Sequence, residues 1–414
     1  MRTREGNMSA SDCIVIFMLV VSCQGQGAIL NNSVLWVARD GHLYFSTRLQ
    51  EWTEAKITPL EFGQSIHSVD IEGANPSHGI AVDIPTRHLV TINSEKDFYA
   101  IALFDLEVYR ITYFHVGISK DIGHLAIDWL GRNVYWTDAG FGWIAMKHLP
   151  ENINQINSAD QNFRVVVDEF IEKPTGIVVH PERYFLFWTD TGHTPKIERS
   201  NLIGQERKTI IWQSIITPTT LCIDQSAERL YWSDPERRTI EYSDFDGNGR
   251  RILVSHPELN YYGIAVFRDS LIYTVPNFNR TGYVSLKENN EGEHIQASIE
   301  IEKTKLFDVM AYASEIQEEP TDALCKKVNE CDQICLHMEM DAGFTCLCSD
   351  GYDLISGRNC TVDEKVLERH ILFTNDKSIC AVPVSVLSLG SSVAAIFSIH
   401  CDLVQSDSYV TRCT

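Results

Sequence analysis

Basic residues are scarce in this chain of 414 residues. It has 35 Lys and Arg against 56 Asp and Glu, which gives a net charge of −21. Nucleic acids and anionic membrane surfaces require basic patches, so this charge argues against both and favours basic partners. The sequence also lacks an apolar run of the roughly 20 residues that a membrane-spanning helix needs. It contains no nucleophile motif, metal-ligand spacing or phosphate-binding glycine loop, so nothing in it indicates an enzyme or a cofactor.

A four-residue word recurs through the middle of the chain. The copies are Tyr135-Trp136-Thr137-Asp138, Phe187-Trp188-Thr189-Asp190 and Tyr231-Trp232-Ser233-Asp234. The intervals between them are 52 and 44 residues. Four-stranded propeller blades repeat at roughly 40–50 residues, so this period predicts a β-propeller.

Weaker copies extend the series on both sides. They are Val34-Leu35-Trp36-Val37-Ala38, Leu89-Val90-Thr91-Ile92-Asn93 and Leu271-Ile272-Tyr273-Thr274-Val275. Together with the full words they predict an all-β protein with a six-bladed propeller over residues 31–315. A later segment, Leu306 to Tyr312, is expected to pair with the first strand and close the ring, which leaves no open sheet edge.

The word itself is expected to be scaffold rather than a binding site. Alternation along a strand puts Trp136 and Tyr135 on opposite faces, where both rings can be buried between blades. Asp138 stands at the strand end, where a carboxylate can accept backbone N–H bonds and tie one blade to the next. The same holds for the other two copies.

Six cysteines follow the predicted ring within 36 residues. They are Cys325, Cys331, Cys335, Cys346, Cys348 and Cys360, with gaps of five, three, ten, one and eleven residues. So small a module needs disulfides for stability, and the spacing alone allows 15 pairings. A zinc site is the alternative, but no pair of histidines has ligand spacing.

The word and the cysteine module together resemble the low-density lipoprotein receptor family. Its members join six-bladed propellers with this word to EGF-like modules, and the module here is expected over residues 321–362. The resemblance implies the pairs Cys325–Cys335, Cys331–Cys346 and Cys348–Cys360. Calcium-binding relatives carry an acid-rich run before the first cysteine; Thr321-Asp322-Ala323-Leu324 does not match it, so bound calcium is not expected.

One departure from the family pattern concerns ligand binding. Relatives often have Trp-Pro-Asn-Gly where this chain has Thr217-Pro218-Thr219-Thr220, so that ligand site cannot be carried over, and the ligand-binding residues stay unknown.

The ends of the chain predict its compartment. Residues 1–25 have a charged head and a short apolar core, as signal peptides do, so the chain is expected in the secretory pathway and at the extracellular side or the cell surface. Glycosylation sequons occur at Asn31, Asn279 and Asn359, with Asn279 the best candidate. Residues 366–414 resemble the start of a second propeller, which ends inside its second blade.

These features favour a non-catalytic segment that binds extracellular protein ligands, in a larger receptor that crosses the membrane once. The receptor would serve endocytosis or signalling. The alternatives are a secreted matrix or adhesion protein of the nidogen type, or a decoy, and then a propeller hydrolase, because fold alone does not exclude catalysis.

Overall fold

The computed structural model of the chain describes residues 32–38, 42–70, 79–95, 98–106, 110–150, 153, 156, 162–288, 294–301, 304–317, 325, 331–337, 343–362, 370–374, 379–383 and 397–399. The predicted signal peptide and the sequon at Asn31 lie outside these residues. No helix in the described ranges is long and apolar enough to cross a membrane.

Six four-stranded antiparallel sheets form the propeller. Blade 1 consists of Leu306–Tyr312, Ser33–Ala38, His42–Ser46 and His67–Asp70. Blade 2 consists of Ile80–Asp83, His88–Glu95, Phe98–Asp105 and Ile111–Val116. Blade 3 consists of Ile122–Asp128, Asn133–Asp138, Trp143–His148 and Arg164–Val167. Blade 4 consists of Pro174–His180, Phe185–Asp190, Lys196–Asn201 and Lys208–Ile211. Blade 5 consists of Leu221–Asp224, Arg229–Asp234, Thr239–Asp244 and Arg251–Ser255. Blade 6 consists of Ile264–Phe267, Ser270–Val275, Arg280–Glu288 and His294–Glu300.

The first strand of each blade, in the order just given, lies at the centre of the ring. Each of these inner strands contacts the inner strands of both neighbouring blades, so that the six surround a central channel. Leu306–Tyr312 supplies the inner strand of blade 1 and pairs antiparallel with Ser33–Ala38, Leu35 lying opposite Met310. The six-bladed, all-β fold and its closure are therefore confirmed. Closure between the two ends of the ring removes the free edges that an open sheet would expose.

Two short helices connect the outer strands of blade 1. They span Leu49–Thr53 and Pro59–Gln64. The second begins with a capping box, in which Thr58 and Glu61 satisfy each other's backbone N–H groups, and with Pro59 at its first turn. Trp52 stacks on Phe62 with ring centroids 3.9 Å apart, and both side chains are buried. The pair fills the space beside blade 6 and so covers the junction where the ring closes. Three 3₁₀ helices occupy Pro181–Arg183, Pro276–Phe278 and Ser314–Gln317.

The cysteine module follows the propeller and is held by three disulfides. They join Cys325 to Cys335, Cys331 to Cys346 and Cys348 to Cys360, the pairs that the resemblance implies. The module contains two hairpins, formed by Ile334–His337 with Phe344–Leu347 and by Tyr352–Ile355 with Asn359–Val362.

The module packs against blade 3. Asn133 Nδ2 donates to the carbonyl of Cys335 at 2.8 Å, and the backbone N–H of Asp350 donates to the carbonyl of Phe163 at 3.0 Å. Ile334 and Leu336 are buried in the same apolar cluster as residues of blades 3 and 4. Apolar burial and hydrogen bonds together fix the module to the propeller.

Three further strands lie beyond the module. His370–Thr374, Ile379–Pro383 and Phe397–Ile399 form one antiparallel sheet in chain order. A second propeller over residues 366–414 stays a prediction, because residues 400–414 lie outside the described part of the chain.

Candidate functional site

The aromatic residues of the repeated word are buried between blades. Trp136, Trp188 and Trp232 are at most 1% exposed. Trp136 packs in a cluster with blade 2, whereas Tyr135 packs with blade 4 and donates its hydroxyl to the carbonyl of Leu202 at 3.0 Å. Neighbouring positions on one strand thus face opposite blades. Side chains this deeply buried hold the scaffold and do not reach a ligand.

The aspartates of the word hold the connector that enters their own blade. Asp138 accepts the N–H of Ser119 at 2.8 Å, Asp190 that of Lys173 at 2.8 Å, and Asp234 that of Ile216 at 2.8 Å. Each carboxylate therefore fixes the segment that links the previous blade to its own. These charge-assisted bonds set the position of the loops on one face of the ring.

The hydroxyl residue of the word makes the direct bond to the next blade. Thr137 donates to the carbonyl of Thr175 at 2.6 Å, and Ser233 donates to that of Tyr262 at 2.5 Å. Sequence reasoning missed this role. The signal was the recurrence of Thr or Ser between the Trp and the Asp in all three copies.

Blades 4 and 5 share an Arg that stacks on the Trp of the word and pairs with a Glu, an arrangement that the sequence analysis missed. The guanidinium of Arg207 lies over Trp188 and pairs with Glu198, and that of Arg250 lies over Trp232. Arg250 pairs in turn with Glu241. The repeated spacing of nine residues from Glu to Arg could have revealed it. Each Arg also donates to two carbonyls of the connector before its blade, at residues 169 and 170 or 213 and 214.

The two faces of the ring differ in what covers them. The module docks at Asn133, at the end of blade 3 where the inner strand has turned into the second strand. Ser314–Gln317 crosses the same end of the channel, since Gln317 Nε2 donates to the carbonyl of Val82 at 2.6 Å and its Oε1 accepts the N–H of Ile84 at 3.0 Å. We call this the closed face. The opposite face, which carries the connectors between blades, we call the open face.

Large apolar side chains are exposed on the open face. Phe170 is 86% exposed on the connector into blade 4. Trp212 and Ile216 are 59% and 46% exposed on the connector into blade 5. Two acidic residues, Asp168 and Glu169, precede Phe170 in the chain. Because the Arg207 and Arg250 side chains hold the carbonyls of these two connectors, the exposed rings sit on a fixed backbone.

The central channel contains a cavity of about 140 Å³ lined by all six inner strands. Its wall is mostly aliphatic, and the exceptions are His124, Trp129, Thr220, Cys222, Gln225, Asp308 and Gln317. Burial raises the pKa of the Cys222 thiol well above its usual value, so this cysteine stays a protonated thiol. In the part of the chain that the structure describes, no three His, Cys, Asp or Glu side chains are grouped so that they could hold a metal ion.

The two sequons that the structure describes lie in different settings. Asn279 is half-buried in a left-handed conformation on the open face, beside Phe278, which is 42% exposed. Asn359 is exposed in the second hairpin of the module, next to the disulfide-bonded Cys360.

Sequence comparison places this chain beside known receptors. No protein-family model matches it. The vitellogenin receptor Yl of Drosophila melanogaster is 28% identical over 243 residues, which cover 58% of this chain and 11% of that protein. The human low-density lipoprotein receptor-related protein 5-like protein is 28% identical over 155 residues, covering 37% of this chain and 58% of that protein. The chain is a homologue of low-density lipoprotein receptor-related proteins and of the vitellogenin receptor.

The matched segments thus span about a tenth of one relative and little more than half of the other. Among solved structures, a chain of a nidogen/laminin complex superposes with a TM-score of 0.55 at 20% identity, over 68% of this chain and 98% of that one. TolB from Acinetobacter baumannii superposes with a TM-score of 0.51 at 11% identity, over 72% and 70% of the two chains. These likenesses concern the propeller fold alone.

Proposed function

We propose that this chain is a non-catalytic, extracellular segment of an endocytic or signalling receptor, and that it binds a protein ligand on the open face of its propeller. The observation that carries this proposal is the exposure of Phe170, Trp212 and Ile216 on two adjacent connectors. Aromatic side chains exposed on a rigid backbone are typical anchors of protein interfaces, because they bury a large area at little cost in side-chain entropy.

The arrangement of the two faces supports the same conclusion. The module docks at blade 3 and Ser314–Gln317 crosses the end of the channel, so both segments that follow the propeller occupy part of the closed face. The acids beside Phe170 and the net charge of −21 favour a ligand with a basic surface. Receptor homology and the disulfide-rich module support an extracellular setting, because disulfides persist in oxidising compartments.

The domain organisation belongs to this proposal. We infer a signal peptide over residues 1–25, a propeller over 31–315, an EGF-like module over 321–362 and the start of a second propeller over 366–414. Asn279 and Asn359 are proposed glycosylation sites, together with Asn31. A glycan on Asn279 would stand at blade 6, on the same face as the exposed rings on the connectors into blades 4 and 5.

The test uses the secreted chain as a multivalent probe against a panel of purified extracellular proteins. The double variant Phe170→Ser/Trp212→Ser removes the two anchors. The control is Leu60→Ser, which removes an apolar side chain that is 72% exposed in the connection between the outer strands of blade 1, at the closed face. We expect a ligand whose affinity falls at least tenfold with the double variant and stays unchanged with the control. A ligand that is insensitive to the double variant but loses affinity with Leu60→Ser would contradict the proposal.

A further inference from the structure

The inner strands form a ring in which polar residues alternate with glycine. In each blade, one residue of the inner strand pairs with the second-strand residue that corresponds to the Trp of the repeated word. The residue that directly precedes this inner-strand residue in the chain belongs to the ring. From blade 1 to blade 6 these residues are Asp308, Gly79, His124, Gly176, Thr220 and Gly263. The ring lies where the inner strands begin, at the open-face end of the channel.

The glycines stand where neighbouring strands approach most closely. A Cβ on Gly176 would lie 2.2 Å from the carbonyl oxygen of Thr219, and one on Gly263 would lie 2.6 Å from that of Phe307. No side chain fits at these positions without moving the backbone. The side chains on the three other blades, Asp308, His124 and Thr220, line the central cavity.

These three side chains form a buried polar group with spare bonding capacity. Each is less than 10% exposed. Thr220 Oγ1 has no hydrogen-bond partner. The carboxylate of Asp308 accepts the N–H of Ile80 at 3.0 Å and its own neighbour's N–H at 2.9 Å.

The basic side chain that approaches Asp308 is an incomplete partner. His124 Nδ1 lies 3.6 Å from Asp308 Oδ2, longer than a direct hydrogen bond. Within the described residues, no Lys or Arg pairs with this carboxylate. A buried carboxylate in an apolar channel is costly unless a cation or several donors satisfy it. The trio therefore favours a cationic ligand that can also donate to a hydroxyl.

The size of the cavity and the aromatic residues next to the ring in the chain limit the chemistry of the ligand. The cavity of about 140 Å³ is close to the roughly 150 Å³ of an engineered cavity that binds benzene in another protein, so it holds a group of about six heavy atoms. Tyr262 and Phe307 directly precede two ring positions, and their half-buried rings meet edge to face with centroids 5.7 Å apart. The faces of aromatic rings attract alkylammonium and guanidinium groups.

We propose that this polar ring binds a primary alkylammonium group, supplied by a lysine side chain of a protein ligand that lies on the open face. The ammonium would donate to the Asp308 carboxylate and the Thr220 hydroxyl at the open-face end of the channel, and its methylene chain would lead back to the ligand on the open face. That a protein ligand supplies the ammonium group rests on the function proposed above. The affinity of the ring for an alkylammonium ion does not depend on that function.

The experiment uses the full chain and two probes of similar size, the n-butylammonium ion and 1-butanol. Binding is followed by NMR of the Ile80, Ile264 and Val309 methyl groups, which line the cavity. We expect n-butylammonium to bind at least tenfold more tightly than 1-butanol. Asp308→Asn should abolish this preference and leave the affinity for 1-butanol unchanged, which also reports that the fold is intact. The matched control is Asp269→Asn, since Asp269 is an exposed acid with a lysine partner outside the channel.

Equal affinity for the two probes in the unmodified chain would overturn the proposal and leave a purely apolar cavity. So would a preference for n-butylammonium that survives Asp308→Asn. Neither result bears on the exposed anchors of the open face. Conversely, the Phe170→Ser/Trp212→Ser test could fail while the chain still binds n-butylammonium. That result would contradict the proposed protein ligand on the open face and would leave the proposed alkylammonium site standing.

Discussion

Replacing Arg207 with methionine should destabilise the propeller far more than its position just before the outer strand of blade 4 suggests. Arg207 Nε lies 3.1 Å from Glu198 Oε1, and Nη2 lies 2.5 Å from Oε2. The guanidinium also donates to the carbonyls of Glu169 and Phe170. Methionine keeps much of the apolar stem over Trp188 but removes the charge and all of these donors.

The magnitude follows from the burial of Glu198, which is 3% exposed. Removing one partner of a buried ion pair costs about 3–5 kcal/mol. Two facts reduce that figure. Arg207 itself is partly exposed, with a side-chain exposure of 21%, and Lys196 remains 3.1 Å from Glu198 Oε2. The carbonyls of the connector are near solvent, so water replaces their lost donors at about 0.5 kcal/mol each. We therefore expect a loss of about 3 kcal/mol in the free energy of unfolding.

Equilibrium urea unfolding followed by tryptophan fluorescence measures this loss, since Trp188 lies directly beneath the guanidinium. Adding Glu198→Gln to Arg207→Met should recover about half of it, because no buried charge is then left unpaired. Arg183→Met is the control: its pair with Glu228 is exposed at 39% and 54%, so it should cost less than about 1 kcal/mol. A loss below about 1 kcal/mol for Arg207→Met, or no recovery with Glu198→Gln, would refute this reasoning.

Three further predictions concern residues at the contacts between neighbouring blades. Thr137→Val removes the hydrogen bond to the next blade and should lower the free energy of unfolding, measured by thermal denaturation, by about 2 kcal/mol, because a buried carbonyl and a buried N–H lose their partner. A change below about 0.5 kcal/mol would contradict the role of this hydroxyl. Gly176→Ala should sharply lower the yield of secreted protein, since the new Cβ has no space, whereas Gly63→Ala meets only an ordinary contact at 3.7 Å and should be tolerated; equal yields would contradict the close approach. Burial, together with the charge of Lys147, lowers the pKa of His115 to about 3. Its contribution to stability is therefore complete above pH 6.5 and declines by about 1.4 kcal/mol per pH unit as the pH falls from there towards 3. His115→Phe should flatten unfolding profiles measured between pH 7 and pH 5, and an unchanged slope would show that other groups dominate.

The repeated word carried most of the fold. Its period and its aromatic pair required blades, because only a strand between two packed sheets buries Trp136 and Tyr135 on opposite sides. The count of six and the closing strand followed from weaker copies of the same pattern. The two short helices of blade 1 were not predicted, since Trp52 and Phe62 occur once and no repeat marks them.

The candidate site was less accessible from the sequence. The departure at residues 217–220 was visible and argued against a familiar ligand site, but nothing in the chain showed what replaces it. Phe170 and Trp212 lie 42 residues apart and read as ordinary loop aromatics. Only their exposure on adjacent connectors identifies them as a common surface.

The sequence by itself thus determined the blades, their number and the cysteine framework, because each depends on local periodicity or local spacing. The tertiary structure alone decided which face of the ring remains open and which residues meet in the channel. Asp308, His124 and Thr220 come from three different blades, and the shortest separation among them along the chain is 88 residues. Their proximity depends on the closure of the ring and on the glycines between them, which let the inner strands approach closely enough for side chains of alternate blades to share one cavity.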